Sequence, residues 1–209
     1  MIKIITACDN KLNHISELNK PIVEQYCNTN GYQLVSKTIE NFDRPASWFK
    51  VGAILSEFEK NDCDHILWLD TDTLILKQSF KLESLLKQDK YFYLCKDANG
   101  INCGVFLMSN VPLMKDMLSA VDALYPKYQN HGWWEQAAIM ELIRRNHLNI
   151  NSHIEYVPQN ILNAYDSKLV HTINNGYVNQ DSFILHLPSI NNTTRYNVIK
   201  QYISEYYGY

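Results

Sequence analysis

The sequence predicts an α/β domain with a mostly parallel central sheet flanked by helices. Three observations carry that expectation. Apolar runs of strand length alternate with amphipathic stretches of helix length along most of the chain. His65-Ile-Leu-Trp-Leu69 is a short continuous apolar run, the pattern of a strand buried on both faces of a parallel sheet. The chain has 209 residues, ample for one domain with a sizeable core.

Taken in order, Ile2 to Ala7 reads as the first strand, since charge returns too soon for a signal peptide. Residues 14–30 place Ile15, Leu18, Ile22, Val23 and Tyr26 near helical spacing, with Gly31 just after. Tyr32 to Ile39 alternates as a strand and completes a βαβ opening. Residues 47–60 read as a second helix, with Ser47 as its N-cap and Trp48, Val51, Ile54, Leu55 and Phe58 on one face. The run from His65 then ends at Asp70. Residues 91–95 and 104–108 read as strands, and 111–125 and 134–146 as helices. Late strands are expected at 154–157 and 183–187. A last helix is expected over 196–207, where Tyr196, Ile199, Tyr202, Ile203 and Tyr206 share a face. No repeat, low-complexity stretch or linker interrupts the series, so residues 1–209 are expected to form a single domain.

Composition removes several function classes. Lys and Arg number 19 against 22 Asp and Glu, a net charge of −3, so no basic excess exists to neutralise nucleic-acid phosphates. At 46% hydrophobic and 20% charged residues the chain is too apolar to be disordered. No apolar run is long enough to cross a bilayer, and a soluble, cytoplasmic protein is expected. The five cysteines (8, 27, 63, 95 and 103) are odd in number and form no CxxC pair. A disulfide framework or zinc cluster is therefore not expected, and a reducing compartment is. Fourteen tyrosines and Asn-rich loops supply the stacking and hydrogen-bonding groups that suit sugars.

The most informative stretch is His65-Ile-Leu-Trp-Leu-Asp-Thr-Asp-Thr-Leu-Ile75. Asp70 and Asp72 stand at i and i+2 beyond an apolar strand, so an extended backbone points both carboxylates to one side. Such a pair repels itself unless a cation or hydrogen bonds intervene. Oxygen ligands at this spacing suit a hard, phosphate-binding ion such as Mg²⁺ or Mn²⁺. The alternative is that Asp-Thr-Asp merely caps the next turn.

Other segments add to the pair. Asn102 and Gly104 stand at the mouth of a strand, where the amide suits sugar hydroxyls and the glycine allows close approach. Glu135 and Gln136 open a helix behind Trp133 and Trp134, either as first-turn residues favoured by the helix dipole or placed under a reacting carbon. His186, in Phe183-Ile-Leu-His-Leu, is either a core histidine or a third ligand for the ion. Lys50, Arg195 and Lys200 are basic residues able to meet a diphosphate, or else solvated helix faces. His14, His65, His131, His147, His153 and His171 show no metal-ligand spacing. No Gly-rich phosphate loop and no GxSxG elbow occur.

Together, Trp48-Phe-Lys50, the stretch from His65 to Ile75, Ile101-Asn-Cys-Gly-Val-Phe-Leu107, Glu135-Gln136 and His186 resemble the retaining GT-A glycosyltransferases. The closest pattern is glycosyltransferase family 34, the xyloglucan xylosyltransferases and yeast α-galactosyl- and α-mannosyltransferases. Glycogenin and bacterial lipopolysaccharide galactosyltransferases are more distant in pattern. The matches run in order from about Ile2 to Arg195. The chain is short for that family and lacks its membrane anchor. It therefore looks like a minimal microbial or large-DNA-virus version, or the catalytic domain of a longer polypeptide.

The resemblance implies a GT-A, Rossmann-like fold, a nucleotide-sugar donor (usually a UDP-sugar), Mn²⁺ with Mg²⁺ as the substitute, and a glycan or glycoprotein acceptor. By position it assigns Asp70 to ribose and metal, Asp72 to metal, and His186 as third protein ligand. Lys50 would reach the diphosphate or donor sugar, and Thr71 would join Asp70 in donor binding. Asn102 and Gly104 would line the donor-sugar pocket. Thr6, Ala7 and Cys8 would cradle uracil and ribose. Glu135 and Gln136 stand where relatives carry Asp-Gln, against the sugar. One departure concerns the phosphate side: Leu187-Pro188-Ser189 follows the histidine where relatives have an aromatic residue and glycine. Asn191 and Asn192 replace a basic residue, leaving Arg195 to substitute. The implied chemistry is glycosyl transfer with retention, by a protein nucleophile or by same-face attack. A nucleotidyltransferase or metal-dependent phosphohydrolase using the same Asp pair, and a non-catalytic sugar-binding module, are the alternatives.

Overall fold

A computed structural model describes residues 1–170, 172 and 176–208. In chain order the elements are β1 (Ile2–Cys8), α1 (Asn13–Asn30), β2 (Gln33–Thr38), α2 (Phe49–Glu59), β3 (His65–Leu69), β4 (Thr73–Ile75), β5 (Phe92–Asp97) and β6 (Gly100–Ser109). Then follow α3 (Pro112–Ala123), α4 (Tyr125–Tyr128), α5 (Trp134–Arg144), β7 (Ile154–Tyr156), α6 (Gln159–Leu162), β8 (Ile184–His186) and α7 (Asn192–Tyr207). The six-stranded main sheet has the order β2-β1-β3-β6-β5-β7, and β4 and β8 form a separate antiparallel pair. No described helix is long and apolar enough to cross a membrane.

The expected α/β architecture is present, with one refinement. Strand β3 is parallel to β1 but antiparallel to β6, and β6 is antiparallel to β5 as well. β3 is nevertheless buried on both faces. Ile66 and Trp68 pack into one core with α2, α3 and α5, while Leu67 and Leu69 pack into another with α1, β8 and α7. The period-2 alternation of a strand thus feeds two cores from one apolar run, and the sheet lies between two helical layers.

Local chemistry sets the ends of the elements. α1 ends at Gly31, whose φ of 73° is the left-handed conformation that closes a helix, and its N–H bonds the Cys27 carbonyl. Ser47 is not an N-cap, contrary to expectation. It sits inside a 3₁₀ turn over Ala46–Trp48 that leads into α2, and its buried Oγ has no protein partner. α7 begins a turn earlier than expected, because the Asn191 side chain accepts the Thr194 N–H at 2.9 Å. That extra turn carries Arg195.

Candidate active site

The carboxyl end of β3 meets the β4–β8 pair at the rim of the sheet. The register sets Thr73 opposite His186, so the imidazole stands beside the residue that follows Asp72. The Leu187 N–H closes the arrangement on the Asp72 carbonyl at 3.0 Å. Asp70, Asp72 and His186 each offer one ligand atom, all within 4.8 Å of one another. Two carboxylates and an imidazole make a donor set that fits a divalent ion such as Mn²⁺ or Mg²⁺.

The surroundings hold this set in place. Trp68 Nε1 donates to Asp70 Oδ1 at 2.6 Å, and Lys50 Nζ lies 3.1 Å from the same oxygen. Arg195 Nη2 lies 3.1 Å from Asp72 Oδ2 and His186 Nε2 lies 3.4 Å from Asp72 Oδ1. Burial first, and then the Asp72 charge, push the Asp70 carboxyl above its ordinary value against the pull of Lys50. Burial acts the same way on Asp72, but His186 and Arg195 more than offset it and hold Asp72 below the usual carboxylate range. His186 Nδ1 bonds Asn163 Oδ1, which leaves Nε2 toward the carboxylates. Gly104 gives the ring its room, since a Cβ there would stand 2.3 Å from His186 Cε1. Gly104 therefore allows close approach, as expected, but the group that approaches is the imidazole.

A cavity of about 330 Å³ opens over the cluster, lined among others by Ser47, Lys50, Asp70, Asp72, Asn102, Gly104, Glu135, Gln136 and His186. Lys50 is buried at 3% exposure, with Glu135 Oε1 at 2.9 Å and the Cys103 carbonyl accepting at 2.8 Å. Burial opposes its charge, but Asp70 and Glu135 more than compensate, and the ammonium is held above its ordinary value. Glu135 Oε2 is buried without a protein partner. Gln136 Oε1 accepts the Cys103 N–H at 2.9 Å, leaving Nε2 as a donor. Burial pushes the Cys103 thiol up, so it remains a thiol.

Asn102 lines the cavity but is already engaged. Its Nδ2 donates to Asp97 Oδ2 at 2.9 Å, and its Oδ1 accepts the Gly104 N–H at 2.8 Å. Tyr165 OH donates to Asp97 Oδ2 at 2.6 Å. Burial, and then Asp97, keep that phenol protonated.

Other expected residues lie outside the cavity. Thr6 borders a separate space of about 20 Å³, room for one water, behind Asp70 and Thr71. Ala7 and Cys8 are buried at the end of β1, with Cys8 Sγ donating to the Asp9 carbonyl at 3.0 Å. Thr71 points its Oγ1 to the Ala7 carbonyl at 2.8 Å, so its side chain fastens the turn. Arg195 is spent on Asp72, the Leu187 carbonyl and Asn192 Oδ1. Lys200 lies exposed further along α7. Of the histidines without ligand spacing, His171 lies outside the described residues.

Sequence reasoning missed Asp97, Asn163 and Tyr165, which join Asn102 to His186 through hydrogen bonds, and also Asn19. The Asn19 Nδ2 donates to the carbonyls of Thr71 and Thr73, at 2.9 and 2.7 Å, holding the Asp-Thr-Asp turn from α1. A dispersed set of single polar residues carries no motif. The Asn99-Gly100 pair after β5 was the one readable signal, as a hairpin turn that would have set β6 against β5.

The model of the galactosyl transferase GMA12/MNN10 family matches residues 4–91 and 85–197. A curated protein of Schizosaccharomyces pombe, an uncharacterized alpha-1,2-galactosyltransferase, is 29% identical over 160 residues, covering 60% of this chain and 42% of that protein. The chain thus spans less than half the length of that relative. Among solved structures, a glycosyltransferase involved in glycosylation of the major capsid of PBCV-1 superposes with a TM-score of 0.76 at 16% identity, covering 96% of this chain and 98% of that one. The galactosyltransferase LgtC, solved with donor and acceptor sugar analogues, superposes with a TM-score of 0.62 at 14% identity, covering 98% and 96%.

Proposed function

The chain belongs to the galactosyl transferase GMA12/MNN10 family and is a glycosyltransferase of GT-A fold, and from that premise we propose that it moves a sugar from a UDP-sugar to a glycan hydroxyl, with a divalent ion and with retention. The observation that carries this reading is the convergence of Asp70, Asp72 and His186 on the wall of a cavity that also holds Lys50, Glu135 and Gln136. When bound there, Mn²⁺ or Mg²⁺ supplies positive charge to the leaving diphosphate.

The chain's own residues supply the rest. Transfer breaks the bond from the anomeric carbon to the diphosphate oxygen, which keeps the electron pair, and forms a bond from that carbon to the acceptor oxygen. Lys50, a buried ammonium whose charged form Asp70 and Glu135 favour, would compensate the developing negative charge. Glu135 is paired to Lys50 and almost wholly buried, which makes it a poor nucleophile. That favours same-face attack, with the leaving phosphate oxygen accepting the acceptor's proton and the Gln136 amide donating to the sugar face. Ser47 and Trp134 border both this cavity and another of about 560 Å³ that reaches Asp9 and Ile39, beside the ends of β1 and β2. That neighbouring space, rather than Thr6, is the better berth for uracil and ribose, since sheet ligands gather beyond the carboxyl ends of strands.

The test is release of UDP from UDP-galactose and other UDP-sugars without acceptor, with and without Mn²⁺. Metal-dependent release is expected, and Asp72→Ala is expected to abolish it while circular dichroism stays native. Equal release by Asp72→Ala, or pyrophosphate formation from UTP and sugar 1-phosphate instead, would overturn the reading.

A further inference from the structure

The first turn of α5 separates three spaces. Trp134 borders the central cavity and the one beside β1 and β2, whereas Trp133 borders the central cavity and a third groove of about 550 Å³ between α5 and the β5–β7 edge. The two adjacent indoles thus serve different neighbours. Trp134 does so with a φ of 38°, a left-handed conformation that a bulky residue adopts only under constraint. In that third groove Trp133 is 43% exposed and Tyr156 is 41% exposed, so two large aromatic side chains are part-open to solvent in a lining that also holds Met140 and Ile101.

The polar groups around those faces show which occupant fits. Lys96 Nζ lies 3.8 Å from the centre of the Tyr156 ring. Glu141 is already bonded by Lys127, Tyr128 and Arg145. Lys96 and Arg144 have no acidic partner among the described residues. The groove is therefore aromatic on its faces and cationic at its rim, which disfavours a basic peptide. A sugar ring lays its C–H face on an aromatic ring and offers hydroxyls to flanking polar groups, so this composition suits a glycan.

We propose that this groove holds the acceptor glycan, with one sugar stacked on Trp133 beside the reaction centre and the chain continuing over Tyr156. The proposal rests on the glycosyl-transfer reading above and adds the site of the second substrate. Continuity carries it, because Trp133 is common to the groove and to the cavity that contains Lys50 and Glu135. A hydroxyl of the stacked sugar then enters the cavity from the groove, and the donor occupies the side of Trp134.

The chain's four tryptophans make the test direct. Indole N–H signals of the full chain are followed by NMR, with Trp133 assigned through Trp133→Phe and Trp48, buried at 1% exposure, as the control for folding. Titration with a panel of mannobiose, lactose, xylobiose and maltotriose, with UDP and Mg²⁺ present, is expected to move the Trp133 signal and leave Trp48 in place. Tyr156→Ala is expected to weaken that titration on the order of tenfold, and Lys96→Ala serves if Tyr156→Ala fails to fold. A panel that leaves Trp133 unmoved, or a Tyr156→Ala chain that titrates like wild type, would overturn the proposal. UDP with Mg²⁺ alone is read at Trp68, whose indole bonds Asp70. A silent Trp68 with a responsive Trp133 would count against the donor reading and for the groove.

Discussion

Gly104 shows how much one missing side chain can decide. The His186 ring occupies the place of its Cβ, so Gly104→Ala must drive the imidazole away from Asp70 and Asp72. Affinity for Mn²⁺, measured by titration calorimetry, is expected to fall roughly 10–100-fold, the scale of losing ligand orientation, together with the drop in melting temperature that overpacking a buried strand brings. Wild-type affinity in Gly104→Ala would mean that His186 is not a ligand. The sequence marked the carboxylate pair because i and i+2 on a strand must share a side. It marked His186 less firmly, because a histidine in an apolar strand looks the same whether it packs or ligates. Arg195 was expected to face phosphate and instead faces Asp72, since whether a cation is spent on a neighbouring acid depends on a contact more than a hundred residues away in the chain.

At the scale of elements, α1 matters to the site through one buried amide. Asn19 ties α1 to both sides of the Asp-Thr-Asp turn, and Thr71 ties the same turn to β1. Asn19→Ala removes two hydrogen bonds to buried carbonyls, at a cost of about 2–3 kcal/mol in urea unfolding. It should also weaken metal binding, because the turn loses its fixed backing; a stability loss with unchanged Mn²⁺ affinity would show that Thr71 alone suffices. Long elements were legible: α1, β3 and α5 carry enough periodic positions to declare themselves. β4 was not, because Thr73-Leu-Ile75 follows the Asp-Thr-Asp turn so closely that it reads as the tail of the β3 run. The direction of β6 was not legible from its own residues either, since an apolar strand does not encode the orientation of its partner.

Across the whole molecule, a charge network far from the cavity ties α2 to the sheet. Glu57 of α2 is bonded by Lys3 of β1 at 3.0 Å, Lys37 of β2 at 3.1 Å and Lys60 at 2.8 Å. Burial alone would raise its carboxyl, but the three ammonium groups hold it down to about 2. A carboxylate depressed in the folded state contributes stability above its unfolded value near 4.5, and that contribution is lost as pH falls toward about 2. Glu57→Gln is therefore expected to lower the melting temperature at neutral pH, with the gap to wild type closing between pH 4.5 and 2. A gap independent of pH would show that packing, not charge, holds this end. The Asp70–Asp72–His186 cluster has the opposite construction: the two carboxylates come from the first half of the chain, and His186 and the Arg195 that pairs with Asp72 come from the last quarter. During synthesis the acidic pair leaves the ribosome more than a hundred residues before its imidazole partner does. The three side chains therefore cannot meet on the growing chain until His186 has been made, a delay set by the order in which the strands emerge.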